Sequence, residues 1–575
     1  MSRLPGVVIV VVLCAAAWGQ DRPVRKGEVD VDPPTWHCIG ARWFVDNLEH
    51  PDATVKVAYR KKGAPAWKEA MPFFRVNSVA LETRRPPEGI TLYAGSIFDL
   101  TPDTEYEVRL SLADANGRKT SKTFTARTWK EPFAPKPKRT LHVSPGNGGG
   151  VGTRAKPLRG IHAAEAVARP GDLFLLHKGT YLGYVSISTS GTAKTPIVWR
   201  AAGDGEVVLE APEKKLGLNA RGLKHVFFEG LTFTKGSPSI RVGGSSFLTF
   251  RRCNFDGIYW GIVGAAYQER LVIVDCTFKG PRTWPRTQAQ RPLGENRAIE
   301  LSGVGHVIAY NRMSGFRDGV DTRMSPPVRG VDIHNNDISE MTDDGIELDF
   351  SESNCRAYRN RITNCYVGIS FQPSHGGPNY AVRNVMYNLG HETYKLHYTG
   401  RSNEKITSGG VMLHNTVVRQ GCPLRVWAGA TPVQHYFMRN NLYVVTGAKR
   451  MIDMQCDVKF ADWDYDVFVG GYTQLFGKWF RTFYRTYDDF VAGTAQEKHC
   501  TRVESTKGVF ATDVQPPADF KQQAPINLND LRLAKTSPAI DKGTPLPNIN
   551  DGFTGAAPDA GAYELDTPLP RYGPR

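Results

Sequence analysis

Two columns of side chains hold the chemistry that this sequence can do. Six short segments read Ile299-Glu300-Leu301-Ser302, Val320-Asp321-Thr322-Arg323, Ile346-Glu347-Leu348-Asp349, Ile369-Ser370-Phe371-Gln372, Tyr394-Lys395-Leu396-His397 and Leu424-Arg425-Val426-Trp427. Their first and third positions are mainly apolar, and the second and fourth are polar. In a strand this alternation sends the apolar set to a core and the polar set outward. Strands stacked at the usual spacing would place carboxylates on adjacent rungs roughly 5 Å apart, and those two rungs apart roughly 10 Å. These distances bracket the carboxyl separations of retaining and inverting glycoside hydrolysis. Crowded acids raise one another's pKa unless a cation neutralises them, and a raised pKa suits a general acid.

A single outward acid is ordinary on a solvated strand face. Acids on three consecutive rungs, beside Lys, His, Arg and Trp, mark a site. Asp321, Asp343, Asp344 and Glu347 are the acid and base candidates, with Lys395 and His397 as basic groups. Glu300, Arg323, Gln372, His375, Arg425 and Trp427 are the expected substrate contacts.

The elements that must position these residues show as a repeat. Cys253-Asn254-Phe255, Cys276-Thr277-Phe278, Asn311-Arg312-Met313, Asn336-Asp337-Ile338, Asn360-Arg361-Ile362, Asn384-Val385-Met386, Asn415-Thr416-Val417 and Asn440-Asn441-Leu442 begin 23, 35, 25, 24, 24, 31 and 25 residues apart. A period of this size is one coil of a solenoid, and the longer steps are insertions. The class is all-β: a solenoid of strand-built coils, which resembles a right-handed parallel β-helix, with a small N-terminal β-sandwich. Inward Asn side chains are expected to hydrogen-bond from rung to rung. Cys253 and Cys276 share that ladder position, as buried thiols or as a bonded pair.

The formal charge of +15 suits contact with anionic glycans, cell-wall polymers or membranes. No nucleic-acid-binding motif occurs, and no segment reads as a membrane span. Residues 1–19 read as a signal peptide cleaved near Gly19, so a secreted or periplasmic monomer is expected. Residues 30–128 alternate as short antiparallel strands, with Trp36 and Trp67 as core candidates. A proline-rich basic linker follows at 129–139. The β-helix is expected at 140–456, and an aromatic cap with a closing segment at 457–575. The insertion after Cys276, with Arg282, Trp284, Arg286 and Arg291, is expected to wall the groove.

Leu100-Thr101-Pro102-Asp103-Thr104-Glu105-Tyr106 resembles the E–F corner of fibronectin type III domains, which implies a spacer or docking module. The Gly-rich run 146–150, the coils and Pro558-Asp559-Ala560-Gly561-Ala562-Tyr563-Glu564 resemble exported bacterial pectin-lyase-like proteins. Asp318 and Asp321, then Asp343-Asp344 one coil later, resemble the acid and base turns of polygalacturonase-type hydrolases, with Lys395 at their lysine. That family's Gly-His-Gly turn reads Tyr366-Val367-Gly368 here, and its Arg is Thr393. Hydrolysis of this kind requires no cofactor.

Glu347-Leu348-Asp349 resembles the calcium pair of alginate lyase and chondroitinase B-type lyases, with Asp321 as a third ligand. This implies Ca²⁺-assisted β-elimination on a uronate polymer. The lyase lysine position holds Asn354, leaving Lys395, His397 or His375 as the base. The sequence favours hydrolysis of an acidic polysaccharide, with the lyase next and a non-catalytic glycan-binding solenoid third.

Overall fold

The structure, a computed structural model, describes residues 27–46, 53–76, 90–322, 328–396, 407–427, 431–525 and 530–575. Arg323, His397 and the leader at 1–19 lie outside these residues. Coils run from the strand Arg139–Ser144 to the strand Thr501–Val503, well past residue 456. They build parallel sheets of 18 and 19 strands, and a smaller sheet of four strands adjoins them. Apolar side chains stack along the interior, as in Phe233–Phe255 and Phe255–Phe278 with ring centroids 4.9 and 4.4 Å apart. The helix Ile161–Glu165 buries Ile161 and Ala164 on the first coils.

The Asn ladder is continuous. Asn311, Asn336, Asn360, Asn384 and Asn415 each donate Nδ2 to the next rung's Oδ1 at 2.9–3.0 Å. Each such Oδ1 also receives a backbone N–H, at 3.0–3.1 Å. The sixth rung is Asn441, because Thr416 pairs with Leu442. The sequence register put Asn440 there; that residue instead holds the closing segment through Thr544. Cys253 and Cys276 begin the ladder as buried free thiols.

The ladder ends on Asp466, whose Oδ1 accepts two bonds from Asn441. Asp466 and Glu497 are both fully buried, and neither oxygen of Glu497 receives a hydrogen bond. Burial pushes the Asp466 carboxyl up to about 7.

The N-terminal unit is a seven-stranded antiparallel sandwich. Thr101 N–H donates to Tyr106 Oη at 2.9 Å, which ties the end of one strand to the loop before it. The Trp expectations are corrected. Trp43 fills the sandwich core, whereas Trp36 packs on Val272 and Val307 of the solenoid. Trp67 lies between the guanidinium groups of Arg60 and Arg109, which compensate for its partial exposure.

The sandwich is also no detached spacer. Asp332 accepts from Thr35 and Arg356, Asn354 donates to Asp32 at 2.7 Å, and Ser96 bonds Asn354, Arg356 and Tyr380. Asn354, at the lyase lysine position, is therefore an interface residue. The linker lies on the coils, with Glu131 bound to Arg251 and Arg575.

The Asp466–Glu497 pair predicts a pH dependence. The folded chain keeps a proton on Asp466 up to about pH 7, and the unfolded chain loses it near pH 4. Stability from this group is complete below about pH 4 and is lost as pH rises toward 7. Asp466→Asn preserves the acceptor for Asn441 and removes the titration. The variant should melt at a higher temperature than the wild type at pH 8, with a shallower decline between pH 4 and 8. Identical slopes in both proteins would show that the pair is not the cause.

Candidate active site

The outer column forms in the register read from the sequence. Glu300 pairs with Asp321, Asp321 with Glu347, Glu347 with Ser370, and Ser370 with Lys395. A second row lies three residues earlier. Arg297 pairs with Asp318, and Asp344 N–H donates to Asp318 Oδ1 at 3.1 Å. Glycine at 319 and 345 allows the coils to approach at this bend, since a Cβ on Gly319 would sit 2.4 Å from the Gly345 carbonyl oxygen. The strand Asp337–Glu347 also slips register between Met341 and Asp344 against its neighbour. A bulge of this kind re-aims side chains, and both Asp344 and Glu347 reach the one ammonium of Lys395.

Eight carboxylates, those of Glu295, Glu300, Asp318, Asp321, Asp343, Asp344, Glu347 and Asp349, meet three cations among the described residues, Glu295 pairing with both Arg297 and Arg317. Arg297 is central. Its Nε lies 2.6 Å from Asp321, 3.4 Å from Asp318 and 3.6 Å from Glu347, and its Nη1 lies 3.4 Å from Glu300. Arg317 pairs with Asp343 at 2.9 Å, and Lys395 hydrogen-bonds Asp344. Asp318 and Asp344 are 0 % exposed. Their Oδ2 and Oδ1, respectively, receive no hydrogen bond.

Burial, then Asp343 and Asp344, pushes the Asp318 carboxyl well above the usual range. Burial and Asp318 do the same to Glu347. Asp344 is raised by burial and held back by Lys395. Burial lifts Asp349 to about 7. For Lys395 burial works downward, but Asp344, Asp349, Asp343 and Glu347 outweigh it and keep the ammonium far above its ordinary value.

The expected calcium trio does not converge. Asp321 is taken by Arg297, and Asp349 accepts from Ser370 Oγ and Gln372 N–H at 2.5 and 2.7 Å. The three acids that do converge are Asp318, Asp343 and Asp344, whose ligand oxygens lie within 4.8 Å of one another. Unbonded buried carboxylate oxygens in a hard-oxygen donor set fit a divalent cation such as Ca²⁺.

Other expected contacts separate. Glu300 is buried against Arg297. His375 lies in the other long sheet, its ring against Phe350. Arg425 stands over Trp427 on the four-stranded sheet. Arg282 and Trp284 are buried inside the insertion, Arg282 binding Asn296 and Trp284 binding the Phe520 carbonyl, so neither walls a groove.

Sequence reasoning missed Arg297 and Arg317 and left Asp318 outside the column. The signal was present as an echo in three coils: Arg297-Ala-Ile-Glu300, Asp318-Gly-Val-Asp321 and Asp344-Gly-Ile-Glu347.

A family model described as a right handed beta helix region matches residues 240–442. The fold is a right-handed parallel β-helix. Among solved structures, a pectate lyase, Pel9A, is 19% identical over 75% of this chain and 97% of its own, with a TM-score of 0.44. The family 28 exopolygalacturonase of Yersinia enterocolitica is 10% identical over 85% of this chain and 99% of its own, TM-score 0.27. A rhamnogalacturonan lyase is 14% identical over 54% and 82%, TM-score 0.35. Likeness at this level concerns fold alone. The comparison with curated proteins gave no match.

Arg297 should act as the counter-charge of the cluster. Arg297→Met leaves buried acids unopposed and should cost about 3–5 kcal/mol in urea unfolding at pH 8. The loss should be smaller at pH 5 than at pH 8, because burial and neighbouring acids raise the Asp318 and Glu347 carboxyls and falling pH favours their neutral forms. An equal loss at both pH values would indicate packing instead of charge.

Proposed function

We propose that the protein cleaves an anionic, uronate-containing polysaccharide by β-elimination, with Lys395 as the base. The observation that carries this reading is the convergence of Asp318, Asp343 and Asp344, with unbonded buried oxygens, against the Lys395 ammonium. Hydrolysis would need an acid and a base set apart across a substrate bond. Here the turn acids are packed together instead, Asp318 and Asp344 fully buried. The sequence favoured hydrolysis because the familiar lyase base is missing, and Lys395 fills that place.

Asp318, Asp343 and Asp344 would hold Ca²⁺, which supplies charge to bind the uronate carboxylate and acidify its C5 proton. The residues then divide the work. The Lys395 side chain is 14 % exposed, whereas the Asp344 side chain it binds is 0 % exposed. The carboxylate neighbours of Lys395 hold it charged at rest, against the opposing effect of burial, and Nζ acts as the base from its neutral form. It takes the C5 proton, the C–H electrons form the C4–C5 double bond, and the C4–O glycosidic bond breaks with its electrons on the leaving oxygen. Water gives that oxygen its proton. Arg297 keeps Asp321 and Glu347 paired, and Arg317 orients Asp343. The basic start and apolar run at residues 3–17 support action outside the cytoplasm.

Incubation with polygalacturonate, alginate, glycosaminoglycans and neutral glucans tests the reading. A polyuronate should yield an unsaturated product absorbing at about 235 nm (general chemistry), with activity lost to EDTA and restored by Ca²⁺. Lys395→Ala should lower kcat by about 10³-fold with its thermal transition retained. New reducing ends without that absorbance would make the protein a hydrolase. Binding without any cleavage would leave a glycan-binding solenoid.

A further inference from the structure

The column does not stop at Lys395. The strand Leu424–Val426 packs against Val385–Lys395 and starts the four-stranded sheet, in which Arg425 pairs with Asp453 and Asp453 with Lys478. The column's sign changes on crossing Lys395: acids precede it and cations follow. Asp453 is the one acid on the continued column, and Arg450 and Gln455 already bind it at 3.1 and 2.9 Å. Arg425, Lys478 and Arg481 have no carboxylate partner among the described residues, and Arg425 Nε is buried without a hydrogen bond.

Aromatic rings lie under these cations. Arg425 stands 5.1 Å from the Trp427 ring, Lys478 5.1 Å from Phe483, and Arg481 5.0 Å from Phe480. Trp427, Phe480 and Phe483 are 44, 37 and 55 % exposed, and all three lie on or beside this one sheet. Trp427 is fixed from behind, its indole donating to His391, which stacks on Tyr366. From Lys395 to Lys478 the lane covers three rung steps, about 15 Å.

We propose that this sheet is a binding lane for the anionic glycan beyond the point of cleavage, with Arg425 and Lys478 pairing uronate carboxylates and the exposed rings meeting sugar faces. The inference rests on the reading of the acidic cluster as a polyuronate-cleaving site. Charge complementarity selects the occupant. A polymer of regularly spaced carboxylates and apolar pyranose faces matches alternating cations and rings. The lane also begins at the base, so one chain can occupy both.

The test is calorimetric titration of the full-length protein in EDTA, which suppresses turnover, with polygalacturonate, alginate, a neutral glucan and single-stranded DNA as probes. Arg425→Gln/Lys478→Gln should weaken polyuronate binding about tenfold per cation removed and flatten its salt dependence. Trp427→Ala should weaken it further, with all variants keeping the wild-type thermal transition. Unchanged polyuronate affinity in the double variant overturns the lane, as does equal or tighter binding of DNA by the wild type. A wild type that binds through the lane yet never cleaves a polyuronate refutes the function and leaves the lane standing. Cleavage with an unaffected double variant does the reverse.

Discussion

Parallel in-register stacking is the constraint from which the site follows. Each coil is bound to the next through its backbone and through the buried Asn311–Asn441 ladder, every rung of which adds hydrogen bonds of about 1 kcal/mol net. A side chain cannot slide away from its counterpart one rung on without breaking that pairing. Like charges placed in one column are therefore forced together, and Glu300, Asp321 and Glu347 have no conformational escape. The solution is local counter-charge: Arg297 at one end of the cluster, Lys395 at the other and Arg317 on the turn. The carboxylates still outnumber the cations, and Asp318 and Asp344 each keep a buried oxygen without a hydrogen bond, which gives the site affinity for a further positive charge.

The scaffold around this cluster is braced from several sides. The N-terminal sandwich is tied to the opposite long sheet through Asp332, Asn354 and Arg356, and the closing segment is tied through Asn440 and His414. Arg575 fastens the end of the chain to Asp275 and to Glu131 of the linker. These buried polar contacts hold the coils in place without touching the acids, so the site is positioned by elements that take no part in its chemistry.

Much of this was legible in the sequence, and the misses share a cause. The column from Glu300 to Lys395 followed from period and alternation, because both reflect backbone geometry that strands obey. The row Arg297, Asp318, Asp344 was harder, since a three-residue offset points to the opposite face in a regular strand. A bulge before Asp344 and the close approach of Gly319 and Gly345 help to bring Asp318 and Asp344 together. The resemblance to calcium-dependent lyases put metal ligands on Asp321, Glu347 and Asp349, but Arg297 and Ser370 compete for Asp321 and Asp349. Asn440 displaced Asn441 in the ladder because adjacent Asn residues are equivalent to a pattern and distinct to a closing segment. Trp36 and Trp284 were assigned from residue type, and their roles depend on partners far away in the chain; Trp67 and Arg282 were misplaced although Arg60 and Asn296 lie close by in sequence.

The central claim is that the buried turn acids form a cation site beside Lys395. Calorimetric titration with Ca²⁺ at pH 8, without any glycan, measures it most directly. The account predicts one bound ion per chain at about 1:1 stoichiometry, with the heat abolished in Asp318→Asn and Asp344→Asn proteins that retain the wild-type circular dichroism spectrum. Wild-type protein that takes up no Ca²⁺, or that binds it equally well after both substitutions, would contradict it.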